Sequence, residues 1–455
     1  MIFGRLSVTW TTKIPIGVLW RLNQALKMRK TLPFFSSPQS FGASLCLVAS
    51  LVLAACSGED VSNQSPQTQS SKVHPSKAEQ QTPIWEQVTF ADLPGWQSDD
   101  LSGALQAFQK SCASILKKAP SAPLDGKTTE AIPYGVAQDW QPLCRQAQSI
   151  KSTNTAMRAF IEASFTPLLV TDEKRPQGLF TGYYEPEIKA SRTRSTRYAT
   201  PFLAKPADLL TLKLEQFDPS LKGKSIRGRV EAGRFIPYYE RAEIDAGVLD
   251  GQPLALAWAQ DPVDVFFAHI QGSARLKLDD GSVTRMAFAG KNGRPYRAIG
   301  RDLVARGAIP KDQVSMQSIR AWLAQNPASR DEILQLNPSY IFFREVAIKN
   351  IDLGPPGAAN IPLTPNRSLA VDRSVHPLGA LMWLDSHEPQ RAGGAKTKPF
   401  QHLMVAQDTG SAIKGAVRGD VFFGSGPQAG ESAGHMAMDG QLYTLVPKHL
   451  LSGIN

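Results

Sequence analysis

From residue 178 onward the chain is a series of short apolar runs, each cut off by glycine, proline or aspartate. "GLFTGYYEPEI", "HIQGSARLKLDDG" and "LMVAQDTGSAIKGAVRGDVFFGSG" are typical. Runs this short between turn formers suit strands and leave little room for long helices. The 35 glycines and 33 prolines among 455 residues press the same way,. Helical spacing is confined to a few places. Leu101, Leu105, Phe108 and Cys112 recur at three- and four-residue steps, with Asp99 or Asp100 available as a cap,. "TNTAMRAFIEASFTPLLV" reads as a helix running into a strand, and "SMQSIRAWLAQN" as a further helix. No fixed-period repeat and no regular strand–helix alternation is present, so a doubly wound sheet is not expected. The expected class is mainly β (α+β), with a few helices near the N-terminus.

One of these runs is odd. Leu403–Ala406 leads into Asp408, and a similar run follows Asp420. An unpaired carboxylate inside a strand costs several kcal/mol. An acid at a strand rim beside Gly410 and Gly415 is therefore either a turn residue or a working one.

The N-terminal region differs from the rest. Residues 1–55 hold six of the 50 Lys/Arg and none of the 40 Asp/Glu, so the formal charge of +10 falls to +4 without them. That mild excess is no nucleic-acid signature. From Met28 a basic start, an apolar run and Leu53-Ala54-Ala55-Cys56 resemble a bacterial lipoprotein signal, with Cys56 as the lipidated residue,. Residues 1–55 are expected to be signal preceded by an over-extended start, and Ser57 favours the outer membrane, facing the periplasm. Residues 56–84, almost free of large apolar side chains, are expected to be a flexible tether. Cys46 and Cys56 are then accounted for, and Cys112 and Cys144 remain. In an oxidising compartment they form either a disulfide or two buried thiols. No CxxC or HExxH spacing occurs, so neither a metal nor a cofactor is expected.

Two motifs mislead. "GESAG", Gly430–Gly434, matches a serine-hydrolase elbow, but too few residues follow to complete that sheet, so a glycine-rich loop is expected,. "GSGPQAG" lacks dinucleotide spacing and carries Pro427 where the helix should open,. "FTGYYEPEI" is sharper. Thr181 and Gly182 permit close backbone approach, Tyr183 and Tyr184 offer flat faces, and Glu185 stands beside a rigid Pro186,. Aromatic faces beside a carboxylate suit a sugar cleft; an amphipathic strand with core tyrosines suits the same pattern.

"GLFTGYYEPEI", "HIQGSARLKLDDG", "GKNGRPYRAIGRDL", "NPSYIFFRE", "PLTPNRSLAVDRSVHPLGALMWL" and "VAQDTGSAIKGAVRGDVFFGSGPQAG", in that order, resemble the membrane-bound lytic murein transglycosylase A family. The resemblance spans residues 90 to 450. Its last two motifs are similar to that family's three-aspartate domain, here Asp372, Asp408 and Asp420. Ser411 and Ala274 depart from the family pattern, where glycine is usual. The resemblance implies a double-psi β-barrel built from residues 85–186 and 337–455, with a smaller β-rich barrel inserted at 187–336 and a groove between them. It implies Asp408 as the catalytic acid, Asp420 and Asp372 as supporting acids, and glycan contacts from Thr181, Gly182, Tyr183, Tyr184, Glu185, Gln271, Ser273 and Lys414. The implied partners are peptidoglycan glycan strands and, through a lipid anchor, the outer membrane.

The implied reaction cleaves the β-1,4 bond between MurNAc and GlcNAc without water and leaves a 1,6-anhydromuramoyl end. One carboxyl suffices, protonating the leaving oxygen and then accepting the C6 hydroxyl proton. Asp408 then needs a raised pKa, from burial or a neighbouring like charge such as Asp420 or Asp372, and Lys414 should face elsewhere. Two other readings stand beside this one: a hydrolytic glycosidase pairing Asp408 with Glu185, and a non-catalytic wall-binding barrel.

Overall fold

The computed structural model describes residues 83–125, 134–172, 175–388 and 398–451; Cys56 and the signal expected before it lie outside them. The described residues open with β1 (Ile84–Gln87) and the helices α1 (Ser102–Ile115), α2 (Ala137–Ser149) and α3 (Asn154–Ser164), then β2 (Phe165–Thr171) and β3 (Gln177–Glu185). The apolar stripe of α1 is buried as its spacing requires, and α3 is capped by the Thr153 hydroxyl, which accepts from Ala156 N,. Asp100 accepts from Ser102 N ahead of α1. Asp99 does something else: it is buried and paired with Arg367 and His402, 268 and 303 residues away. Helix α2 carries Pro142 in its interior, which hides it from a reading by periodicity,. Cys112 on α1 and Cys144 on α2 are joined as a disulfide with Cα atoms 5.0 Å apart.

After β3 come β4 (Glu187–Ser191), β5 (Thr200–Leu203), β6 (Leu210–Lys213), β7 (Ser225–Glu231), β8 (Arg234–Pro237), α4 (Arg241–Asp245), β9 (Ala255–Ala259) and α5 (Pro262–Gln271). Then follow β10 (Ser273–Leu278), β11 (Val283–Lys291), α6 (Ile299–Ala305), α7 (Met316–Gln325), α8 (Arg330–Gln335) and β12 (Ile341–Val346). Strands β12-β11-β10-β4-β9-β5 form one sheet, and a bridge between Ala204 and Phe343 brings its two edges together. Ala274, where the family pattern has glycine, lies fully buried in the core of this sheet. The inserted segment was expected to end at residue 336, but β12 pairs with β11 as far as Val346. Phe342 and Phe343 are both buried, one on each side of the strand, and keep β12 in this sheet,.

The chain returns through β13 (Ser368–Val371), β14 (Leu381–His387), β15 (Pro399–Asp408), β16 (Gly419–Ser425), α9 (Pro427–His435), β17 (Ala437–Pro447) and α10 (Lys448–Leu451). Six strands close on themselves in the order β3-β16-β13-β15-β14-β17 and back to β3. The ring is mixed: β13 with β15 and β16 with β3 are parallel, the other pairs antiparallel. Closure removes free edges. Trp383, Phe180 and Leu403 are fully buried in the barrel core, against Phe108, Trp140 and Phe165 from the N-terminal helices and β2. One loop expectation is corrected here. "GESAG" lies in α9, a helix that Pro427 opens at its first turn, where a missing N–H costs nothing,.

Candidate active site

Strand register alone brings two of the three aspartates into one row. Ala370 on β13 pairs with Asp408 on one side and Asp420 on the other, and Asp420 pairs with Thr181 of β3. Directly paired residues point to the same face, so both acids rise from one end of the barrel with their Cα atoms about 10 Å apart, two strand spacings. Tyr183, two residues beyond Thr181, shares that face.

Asp408 ends β15 and is half-buried. Its Oδ1 accepts from Ala358 N and from Thr409 N, each at 2.9 Å, and its Oδ2 accepts from the Tyr183 hydroxyl at 2.9 Å. Burial of the carboxyl raises its pKa; the three donors pull the other way without cancelling that, and the Asp420 charge adds to the rise,. The Tyr183 hydroxyl, buried and facing this acid, is held well above its usual pKa and stays a neutral donor. Gln407, fully buried, turns to the opposite face and bonds Ser111, Ala107 O and Ser368, which anchors the strand end. The segment at Gly357 comes so close to β15 that a Cβ there would lie 2.7 Å from Gln407 O; this approach delivers the Ala358 N–H. Neither Ala358 nor Gln407 was singled out from sequence. The dense Gly354–Pro356–Gly357 punctuation was the available signal.

The other acids are committed. Asp420 pairs with Arg418 and accepts from Thr181 Oγ1, to which Arg418 also donates at 2.9 Å. Asp372 accepts from Ser374 N (3.1 Å), Ser374 Oγ (2.8 Å) and Gly415 N (3.1 Å). Although burial works against it, those donors hold its carboxyl below the usual value. Lys414, exposed, reaches Asp372 at 3.5 Å and leaves Asp408 alone.

The YYEP residues separate because a strand alternates. Tyr184 points away from Asp408, is only 6% exposed, and packs with Ala429 and Ala433 of α9; the two tyrosines are not one stacking platform. Gly182 does permit close approach, but to the protein: a Cβ there would lie 2.7 Å from the Phe423 ring and 2.8 Å from Ala433 Cα. Glu185 has no exposure at all. Arg285 donates to both its oxygens (2.5 and 2.9 Å), Arg275 lies 3.3 Å from Oε2, and Ser425 donates at 2.7 Å. It ties β3 and β16 to β10 and β11 and is not a second carboxylate for Asp408. Gln271 accepts from Tyr184 N at 3.0 Å, and Ser273 is buried at the start of β10. Both belong to the same seam. Ser411 is exposed on the turn beyond Asp408. Among the described residues no cluster of His, Cys, Asp and Glu could hold a metal, and no helix is long and apolar enough to cross a membrane.

Comparison with known proteins fits this geometry. Residues 179–344 match the MltA specific insert domain and residues 367–446 the 3D domain. The chain is 34% identical over 268 residues to membrane-bound lytic murein transglycosylase A of Escherichia coli K12, covering 58% of this chain and 65% of that protein. It is 33% identical over 276 residues to the Vibrio cholerae protein of the same name, covering 60% and 66%. These matches therefore span just under two thirds of each relative's length. Among solved structures, a membrane-bound lytic murein transglycosylase from Agrobacterium tumefaciens is 35% identical with a TM-score of 0.70, covering 82% of this chain and 99% of that one. MltA from Neisseria gonorrhoeae is 36% identical with a TM-score of 0.66, covering 80% and 93%. Escherichia coli MltA with bound chitohexaose is 27% identical with a TM-score of 0.58, covering 82% and 96%.

Proposed function

Because the chain belongs to the membrane-bound lytic murein transglycosylase A family, we propose that it cleaves the β-1,4 MurNAc–GlcNAc bond of peptidoglycan without water, with Asp408 as the sole acid and base. The observation that carries this is the asymmetry of one carboxyl. Two backbone N–H groups fix Oδ1 as an acceptor, and among the described residues the Tyr183 hydroxyl alone donates to Oδ2. The acid proton therefore belongs on Oδ2. Tyr183 donates into one lone pair there, leaving the proton free to turn toward a glycosidic oxygen. Burial keeps that proton in place at a pH where an ordinary aspartate has lost it,. Once the proton is delivered, the same three donors stabilise the carboxylate, which then draws the proton from the C6 hydroxyl as that oxygen closes on C1. Protons move in opposite directions in the two half-steps, so one group serves both.

A two-carboxylate hydrolase needs a second acid free to act as base or nucleophile. Asp420 is bound to Arg418, Asp372 to loop N–H groups, and Glu185 is sealed under two arginines. The single-acid reading is the one those partners leave. Digestion of purified sacculi tests it by product mass. Wild type should release products lighter by one water than hydrolysis gives, and Asp408→Asn should release essentially none. Products of hydrolytic mass would sink the proposal.

We also propose that Cys56 is lipidated and holds the body at the outer membrane, facing the periplasm, on the tether expected at 56–84, which ends where Ile84 opens β1. The support is the Leu53–Cys56 pattern and the apolar run before it,. Wild type should incorporate labelled fatty acid and Cys56→Ala should not; an unlabelled wild type, or a variant labelled as strongly, counts against the anchor.

A further inference from the structure

Just behind the residue that holds Asp408, the protein has a cleft that the single-acid mechanism does not use. It encloses about 270 Å³ between the end of α1, residues 124–125, residues 358–361 and the turn at 373–379. Ala358 is the shared wall: its N–H donates to Asp408 Oδ1 while its side lines the cleft. Ile115, Leu124, Ile361 and Leu378, all buried, make an apolar floor. Two cations stand over it, Lys118 and Arg373.

Arg373 is set in place. Asp125, whose side chain is 3% exposed, accepts from Arg373 Nε and Nη2, both at 2.6 Å. A fork fixed along one edge presents its remaining N–H groups in a known direction, the arrangement suited to a planar carboxylate. Among the described residues Lys118 Nζ donates to Pro123 O alone, at 3.5 Å, a long contact for a group with three donors,. The volume is below the ~300–1,000 Å³ of pockets that enclose drug-sized ligands, so it takes a short substituent and not a sugar strand.

We propose that this cleft is a subsite for the stem peptide, seating its first small apolar residue on the floor and its nearest free carboxylate between Lys118 and Arg373. The inference rests on the reading of Asp408 given above and identifies what that substrate must carry. The muramic ring whose anomeric carbon reacts is the ring that bears the lactyl group. Its substituent is thus carried on the same ring that Asp408 acts on, and the stem is the anionic part of an otherwise uncharged polymer. Lys118 and Arg373 are specificity determinants here and have no part in proton transfer.

The experiment compares kcat/KM on two forms of the same glycan strands, one with free stem-peptide carboxylates and one with those carboxylates converted to amides. Wild type should prefer the free acids about fivefold, mainly through KM. Lys118→Ala should cut that preference at least twofold, and Lys118→Glu should abolish or invert it. Arg373→Lys, which keeps a cation for Asp125 but loses the fork, should lower it as well. Thermal unfolding checks that each variant is folded. Equal rates on both strands with wild type, or an unaltered preference in all three variants, overturn the subsite while leaving the activity standing. If wild type gives no anhydro product from either strand, the activity reading itself fails and the subsite with it.

Discussion

Replacing Glu185 by alanine should unfold this protein at lower temperature without touching its chemistry, and the size of the effect follows from its partners. Glu185 is fully buried, and the Arg285 and Arg275 side chains are 5% and 7% exposed. Arg275 keeps Glu187 at 3.4 Å, Ile351 O and Ser425 when Glu185 is removed. Among the described residues Arg285 keeps Leu353 O alone, at 2.8 Å. One guanidinium is thus left buried with almost no countercharge, which costs about 3–5 kcal/mol. For a body of this size each kcal/mol corresponds to about 2 °C in Tm, so a loss of about 6–10 °C is expected. The double variant Glu185→Leu with Arg285→Met should recover most of it, since Arg275 keeps Glu187 and no buried charge is then left without a countercharge,. The assay pairs calorimetry with turnover measured well below the variant's Tm. Turnover per folded molecule should stay within a few-fold of wild type. A loss of the ~100- to 10,000-fold expected for an acid–base group, with stability intact, would refute the argument and restore the two-carboxylate hydrolase.

Three further outcomes follow from titration and hydrogen bonding. Asp408→Asn should be more stable than wild type at neutral pH. A carboxyl whose pKa is raised on folding contributes stability below its unfolded value and loses it as pH rises, so the gain should vanish below about pH 4 in urea titrations,. Tyr183→Phe should lower kcat and also move the alkaline limb of kcat/KM to higher pH, because ionised Asp408 loses a donor; an unmoved limb would reduce Tyr183 to packing,. His376 is buried, bonded to Tyr134 and Ala416 O, and burial pushes its pKa down to about 4. Stability should therefore fall by about 3 kcal/mol as pH drops from about 6.5 to 4, and less in His376→Gln; equal slopes would show that the drop arises elsewhere.

Much of the architecture was legible in the chain because it depends on local pattern. Short apolar runs between glycines and prolines specify strands, and the stripes at 101–112 and 154–161 specify helices that the structure contains. Helix α2 was hidden by Pro142, and α9 by its glycines; in both, packing against neighbours outweighs poor intrinsic propensity. β12 was assigned to the wrong side of a boundary because an apolar strand says nothing about which sheet will pair with it.

The sequence by itself determined that aspartates stand at strand ends, and that Asp408 is among them. Residue type and strand position alone do not separate one carboxylate from another. Asp408, Asp420, Asp372 and Glu185 differ little as side chains, and what separates them is company brought from far along the chain. Glu185 meets Arg285, 100 residues away, and is neutralised. Asp408 meets Tyr183, 225 residues away, and backbone donors but no cation among the described residues. A carboxyl's proton affinity is set by the charges, donors and solvent within a few ångströms of it, and only closing the barrel decides what those are.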